Sequence, residues 1–364
     1  MVPLQDTAAR GDYRSWATNE FLEFMESQGP TLVELGWRPF FQAQLSEEEV
    51  QRCHPVRVMA VYRGKIAITG DGFEKLIRPD RADPDAAEDH PAVGDWLLVD
   101  RETFSPVRIL DRASLFKRRA AGHGRRLQLI AANVDTLFIV MSCNQDFNIA
   151  RLERYLVLAR EVGVNPIVVL TKIDLTGTPE SFADAARELQ PSLLVQTVNA
   201  RDPDSVASLA KWCGTGQTVA LMGSSGVGKS TLVNTLRGSD SLATQAVREA
   251  DGKGRHTTTV REMHRLDQGG WLLDTPGMRE LQLSDAGGGL AEVFEDIVVL
   301  AQQCRFTNCT HETEPDCAVQ NAIADGTLEP SRLKRWRGLV AEDALNTTSP
   351  AWRRSRQKQN GRRR

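Results

Sequence analysis

The sequence predicts a multidomain chain: a small OB-type β-barrel, then an α/β domain with a doubly wound parallel sheet, then a small, mainly helical module. Three observations predict it. Short apolar or alternating runs at 56–69, 73–78, 93–99 and 107–110 are broken by Gly64, Gly70-Asp71-Gly72 and Gly94-Asp95, the cadence of a small closed barrel. From 134 onward, apolar strand-like runs alternate with helix-period segments, the pattern of parallel strands joined by crossover helices. Three cysteines and a histidine crowd into 304–317, a metal-like rather than disulfide-like grouping.

A chain of 364 residues has the length for two or three domains, each able to bury a core. No apolar run approaches the ~20 residues of a membrane span, and residues 1–14 lack the basic-then-apolar layout of a secretion signal, so a cytoplasmic protein without a membrane partner is expected. Cys53, Cys143 and Cys213 are scattered, which agrees with a reducing compartment. The net charge of −3 conceals an asymmetry: residues 1–50 carry nine acids against three arginines, whereas 331–364 carry eleven Lys or Arg against Glu342 and Asp343.

In chain order, Trp16, Phe21, Leu22 and Met25 stand at loosely helical spacing and Ser46 with Glu49 forms a capping-box pair, so a helical extension is expected over 1–50. The barrel is placed at 51–113, with an acidic, proline-containing loop at 79–91. Barrels of this type often hold single-stranded nucleic acid, and RNA contact is expected here. The basic connector Lys117-Arg118-Arg119 and Arg125-Arg126 reads as a solvated linker. The α/β domain is placed at 114–295, with strands expected at 134–141, 167–170 and 193–198 and helices near 152–162, 183–189 and 206–212.

Chemistry concentrates in that domain. After the apolar run 219–222 comes Gly223-Ser224-Ser225-Gly226-Val227-Gly228-Lys229-Ser230-Thr231, and then the helix-period residues Leu232, Val233 and Leu236. A strand, a glycine loop and a helix in this spacing wrap phosphates with backbone N–H groups, aided by the positive helix end. Lys229 would reach the β and γ oxygens, and the Ser230 hydroxyl would ligate magnesium. A nucleoside triphosphate is therefore the expected ligand. Thr171-Lys172-Ile173-Asp174 follows the strand at 167–170, where the Asp174 carboxylate could accept from both N–H groups of a guanine edge, which adenine cannot supply. Asn199 and Ala200, after the next strand, could offer an amide to the guanine oxygen. Leu272-Leu273-Asp274-Thr275-Pro276-Gly277 is an apolar strand ending in DxxG: Asp274 would hold magnesium through water and the Gly277 amide would sense the γ-phosphate. One of Thr257, Thr258 and Thr259 could complete the magnesium shell.

The order is unusual. The guanine-type motif precedes the phosphate loop by about fifty residues, the reverse of an ordinary GTPase, so the domain is circularly permuted and DxxG lies at its C-terminal exit. Beyond it, Cys304, Cys309, His311 and Cys317 suit one closed, structural tetrahedral zinc site in a module placed at 296–364. A helix is expected over 331–345, bearing Arg332, Lys334, Arg335 and Arg337, and together with the basic tail it is expected to meet RNA phosphates.

Together these residues resemble the RsgA family, over about 35–345. Leu35-Gly36-Trp37, Pro91-Ala92-Val93-Gly94-Asp95-Trp96, Ala131-Ala132-Asn133-Val134-Asp135 and Asp146-Phe147-Asn148 carry the resemblance beside the motifs above. It implies an OB barrel, a circularly permuted phosphate-loop GTPase domain and a zinc domain. The implied function is GTP hydrolysis in late maturation of the small ribosomal subunit, with turnover accelerated by that particle and with ribosomal RNA, GTP and GDP as partners. A monomer is expected. Departures are Thr171 where Asn is commoner and Asn199 where Ser is commoner. Met278 follows DxxG, where many GTPases place a water-orienting Gln, so His256 becomes the family-like catalytic candidate beside Lys229 and Gly277. The other reading is an RNA-binding assembly scaffold that uses nucleotide as a structural ligand.

Overall fold

Continuous apolar runs flanked by crossover helices have become a parallel sheet. The computed structural model describes residues 29–79, 90–119, 127–238, 261–274 and 281–347. The parallel strands are β8 (Thr136–Ser142), β9 (Asn165–Thr171), β10 (Leu194–Thr197), β11 (Thr218–Met222) and β13 (Trp271–Asp274), in the order β10-β9-β8-β11-β13, with β12 (Arg261–Arg265) antiparallel beside β13. Every residue of β8 is buried, as a central parallel strand covered on both faces requires. Alternate residues feed two cores: Leu137, Ile139 and Met141 face α3 (Ile149–Glu161) and α4 (Pro179–Arg187), while Phe138 and Val140 face α6 (Lys229–Leu236). α3 shows why it is a helix: the Asn148 side chain caps it by accepting from the Arg151 N–H at 2.9 Å, and Leu152, Tyr155, Leu156 and Ala159 form one buried stripe. The helix expected at 206–212 is instead a short turn, α5 (Pro203–Val206), running into a 3-10 segment at Ala207–Trp212.

The N-terminal strands form an antiparallel set that joins the parallel sheet. β1 (Cys53–Tyr62), β2 (Lys65–Gly70), β3 (Phe73–Ile77), β4 (Trp96–Asp100) and β5 (Pro106–Ile109) form an antiparallel set in the order β3-β2-β1-β4-β5. The run expected at 56–69 breaks into two strands, and the one expected at 93–99 begins only at Trp96. Among the described residues no ladder closes β3 onto β5; the far end of β1 instead pairs with β12 through Ala60↔Glu262 and Val61↔Arg261, joining all eleven strands into one sheet. Arg57 on β1 reinforces the join. Its buried guanidinium donates to the Leu35 and Asn133 carbonyls and, at 2.8 Å, to Thr218 Oγ1 at the start of β11, and it lies 5.7 Å from the Trp96 ring. Burial pulls its pKa down to about 10, so it still carries its charge at neutral pH. Among the described residues two short helices precede β1: α1 (Pro39–Gln42), and α2 (Glu47–Arg52), whose Ser46/Glu49 capping box is present as expected. β6 (Leu115–Arg119) and β7 (Leu127–Ala132) form a separate hairpin.

The C-terminal region is helical: α7 (Gly287–Val293), α8 (Glu295–Ala301), α9 (Ala318–Ala324) and α10 (Pro330–Thr347), the last with Pro330 in the first turn, where its missing N–H costs nothing. Three of the four basic residues on α10 expected to face RNA turn inward instead. Glu153 of α3 is fully buried and receives Arg332 at 3.0 Å and Arg335 at 2.6 Å, while Arg337 donates to the Thr310 and His311 carbonyls. A buried carboxylate needs such partners, and among the described residues α10 supplies them. Among the described residues no helix is long and apolar enough to cross a membrane.

Candidate nucleotide site and metal centre

In an open parallel sheet, ligands meet the C-terminal strand ends where the connections diverge to either side. Here that point lies between β8, whose successors β9 and β10 run one way, and β11, whose neighbour β13 lies the other way. The ladders Ser142↔Thr171, Met222↔Ile139 and Ala220↔Leu273 set the strand ends along one edge. The loop 223–228 leaves β11 at this point and enters α6. Gly223 allows no side chain, because a Cβ would strike the Val140 carbonyl oxygen, and Gly228 has the left-handed φ of 95° that glycine adopts without strain. Val227 is buried as the loop's anchor, while Ser225, Gly226 and Ser230 are exposed at its crown and exit. The Lys229 ammonium folds back onto the loop, donating to the carbonyls of Gly223, at 2.8 Å, and Ser224. Thr231 begins the turn whose apolar side is Leu232, Val233 and Leu236.

The second motif is joined to this loop through the Thr171 hydroxyl. Thr171 is fully buried, and its Oγ1 lies 2.5 Å from the Val227 carbonyl and 3.1 Å from that of Met141. Thr171 therefore ties the two loops together through its hydroxyl. Lys172 is left-handed at φ 60°, which turns the chain into the 3-10 segment Ile173–Leu175 and leaves Asp174 exposed at the strand edge. On the neighbouring loop the Asn199 N–H is already given to Ser205 Oγ at 2.9 Å, and its side chain accepts from Arg201 N–H at 3.1 Å. That leaves Ala200 to offer an amide, and its carbonyl is held by Thr235 of α6 at 2.7 Å. Asp274 is the last residue of β13, beside the phosphate-loop strand. Gly277, Met278, His256 and the threonines 257–259 lie outside the described residues, as do Trp16, Arg125-Arg126 and the basic tail.

Sequence reasoning missed two residues that the fold brings here. Arg151, at the third position of α3, donates to Ser224 Oγ of the phosphate loop at 2.7 Å. Glu153, two residues on, makes the buried ion pairs to α10. An Asn cap followed three residues later by Arg where an acid is usual was the available signal for the first; nothing local marks the second.

The candidate metal centre is formed by residues of the segment between α8 and α9, the last of them at the cap of α9. One ligand atom from each of Cys304, Cys309, His311 and Cys317 lies within 4.8 Å of all the others. Cys304 Sγ is 3.8 Å from Cys317 Sγ, and His311 Nδ1 is 3.5 Å from each of those two sulfurs. A tetrahedral ion with thiolates at ~2.3 Å and imidazole at ~2.0 Å sets its ligand atoms apart by about these distances. The four residues thus fit a closed metal shell, with no open position for a substrate. Cys317 also caps α9, and the left-handed His311 has its carbonyl held by Arg337 and Gln320.

A sequence profile described as RsgA GTPase matches residues 109–284. The chain is 49% identical over 330 residues to the small ribosomal subunit biogenesis GTPase RsgA of Mesorhizobium japonicum, covering 90% of this chain and 94% of that protein. It is 48% identical over 335 residues to the small ribosomal subunit biogenesis GTPase RsgA 2 of Vibrio vulnificus, covering 92% and 94%. Among solved structures it is similar to YjeQ from Thermotoga maritima, with TM-score 0.58, 23% identity and coverage of 80% of this chain and 98% of that one. It is also similar to YloQ, described as a circularly permuted GTPase, with TM-score 0.57, 24% identity and coverage of 84% and 100%. These two likenesses support the permuted fold.

Proposed function

The chain belongs to the RsgA GTPase family, and from that premise we propose that it hydrolyses GTP in the late maturation of the small ribosomal subunit, binding ribosomal RNA and coupling turnover to association and release. The observation that carries the reading is the Thr171–Val227 hydrogen bond, which sets the exposed Asp174 and the glycine loop on the same sheet edge. In this reading residues 223–231 hold the phosphates, Lys229 neutralises the β and γ oxygens, and Ser230 and Asp274 hold the magnesium that accompanies GTP. Lys172, Ile173, Asp174 and the Ala200 amide receive the base. His256 and Gly277 are proposed as the water-side and γ-phosphate-side groups.

The Cys304, Cys309, His311 and Cys317 shell is assigned to one structural zinc, because three thiolates and an imidazole are a soft, tetrahedral donor set. Domains are proposed at 1–50, 51–113, 114–295 and 296–364, the second as an OB-type barrel, in a cytoplasmic monomer. The test is hydrolysis of GTP and ATP, each with and without small ribosomal subunits. GTP-selective turnover that rises with subunits is expected; equal use of ATP, or no turnover with subunits present, overturns the proposal.

A further inference from the structure

We propose that Arg151 is a positioning residue for the reaction at the phosphate loop, acting by holding the Ser224 hydroxyl; the proposal rests on the GTPase reading above. Arg151 occupies the third position of α3, one turn from the positive end of the helix dipole, where a cation is locally unfavourable. A residue that breaks a local rule calls for a compensating contact. That contact is the 2.7 Å bond to Ser224 Oγ, joined by a 3.4 Å bond to the Asp146 carbonyl. No carboxylate pairs with this guanidinium among the described residues.

Ser224 thereby receives two cations, Arg151 on its hydroxyl and the Lys229 ammonium on its carbonyl. Two positive groups converging on one crown residue of a glycine loop repel each other, and a polyphosphate against that crown relieves the repulsion. The Arg151 bond also sets where the crown stands. The residues 224–226 are exposed or half-exposed, and nothing apolar pins them as Val227 is pinned. Fixing Ser224 from α3 keeps their N–H groups converged before nucleotide arrives, which lowers the ordering cost of binding.

The experiment uses the full-length protein with small subunits: KM and kcat for GTP, with thermal midpoints, for wild type, Arg151→Ala, Arg151→Lys, Ser224→Ala and the double variant. Losing a charged hydrogen bond is expected to raise KM roughly tenfold in Arg151→Ala. Ser224→Ala should match it, the double variant should be no worse than either because both remove one bond, and Lys should restore part of the loss. The thermal midpoint of Arg151→Ala should hold or rise, since a cation leaves the positive helix end. A KM within twofold of wild type in Arg151→Ala overturns the proposal. So does a silent Ser224→Ala beside a damaged Arg151→Ala, which would mean direct contact with nucleotide, and so does a KM loss accompanied by a matching drop in midpoint. Failure of the wild type to turn over GTP is a separate result and refutes the functional reading itself.

Discussion

Thr171 concentrates at one residue what the site requires, because its hydroxyl spans from the base-side loop to the phosphate-loop carbonyl of Val227. Thr171→Val keeps the shape and removes the hydrogen bond, leaving a buried carbonyl short of a donor. About 1–2 kcal/mol is expected from that loss, read as a five- to thirtyfold weaker GTP affinity by calorimetry with the fold retained. Unchanged affinity would show that the two loops are positioned independently. At Asp174 the chemistry is selectivity. Asp174→Asn should weaken GTP while sparing or improving xanthosine triphosphate, since the amide can donate to the xanthine oxygen where guanine needs an acceptor. Competition binding with both nucleotides checks it, and a mutant that still prefers GTP as wild type does would remove Asp174 from base recognition.

α3 carries more of the architecture than its length suggests. One end touches Ser224, the middle holds Arg332 and Arg335 through Glu153, and Arg154 holds both Glu342 of α10 and the Leu281 carbonyl at 2.7 Å. Removing the buried Glu153 charge takes the carboxylate from Arg335 and leaves Arg332 only its pair with Asp296, so Glu153→Gln should destabilise the protein by ~3 kcal/mol in urea unfolding. A change below about 0.5 kcal/mol would mean that the pairs are replaceable by the amide. The proposed metal shell would be a second device holding the C-terminal helices: Cys309→Ala should lose the metal by elemental analysis and release the C-terminal module to protease, with GTP binding intact. Purified wild type without metal would refute the shell. The strand, glycine loop and helix at 218–236, the turn at 171–175, the cysteine–histidine cluster and α10 were legible from the sequence because each is local, a spacing within a dozen or so residues. The clamp at Glu153 was not, because its partners lie 179 and 182 residues away and an acid on a helix reads as solvated. Nor was the β1–β12 ladder, since strand periodicity says which face is buried and not which distant edge is paired.

Across the whole molecule, two routes lead from the nucleotide edge to the C-terminal helices. One is covalent: residues 275–280, which lie outside the described residues, are all that separate Asp274 from Leu281 in sequence. The other is α3, and Arg154 joins the two by holding Leu281 and Glu342 together. From α10, Arg337 continues to the carbonyls of Thr310 and His311 at the metal shell. A γ-phosphate bound at the proposed nucleotide edge would therefore bias, through Arg154, a set of ion pairs and hydrogen bonds that ends on the module proposed to meet ribosomal RNA. For binding and release to follow nucleotide state, the subunit's affinity must differ between the two states, and a coupling of ~1–3 kcal/mol corresponds to roughly 5- to 150-fold. The most direct measurement is the dissociation constant of the small ribosomal subunit for the protein loaded with a non-hydrolysable GTP analogue and with GDP, at one salt concentration. The account predicts tight association with the analogue and weak association with GDP, in a ratio within that range; equal affinity in the two states would contradict it.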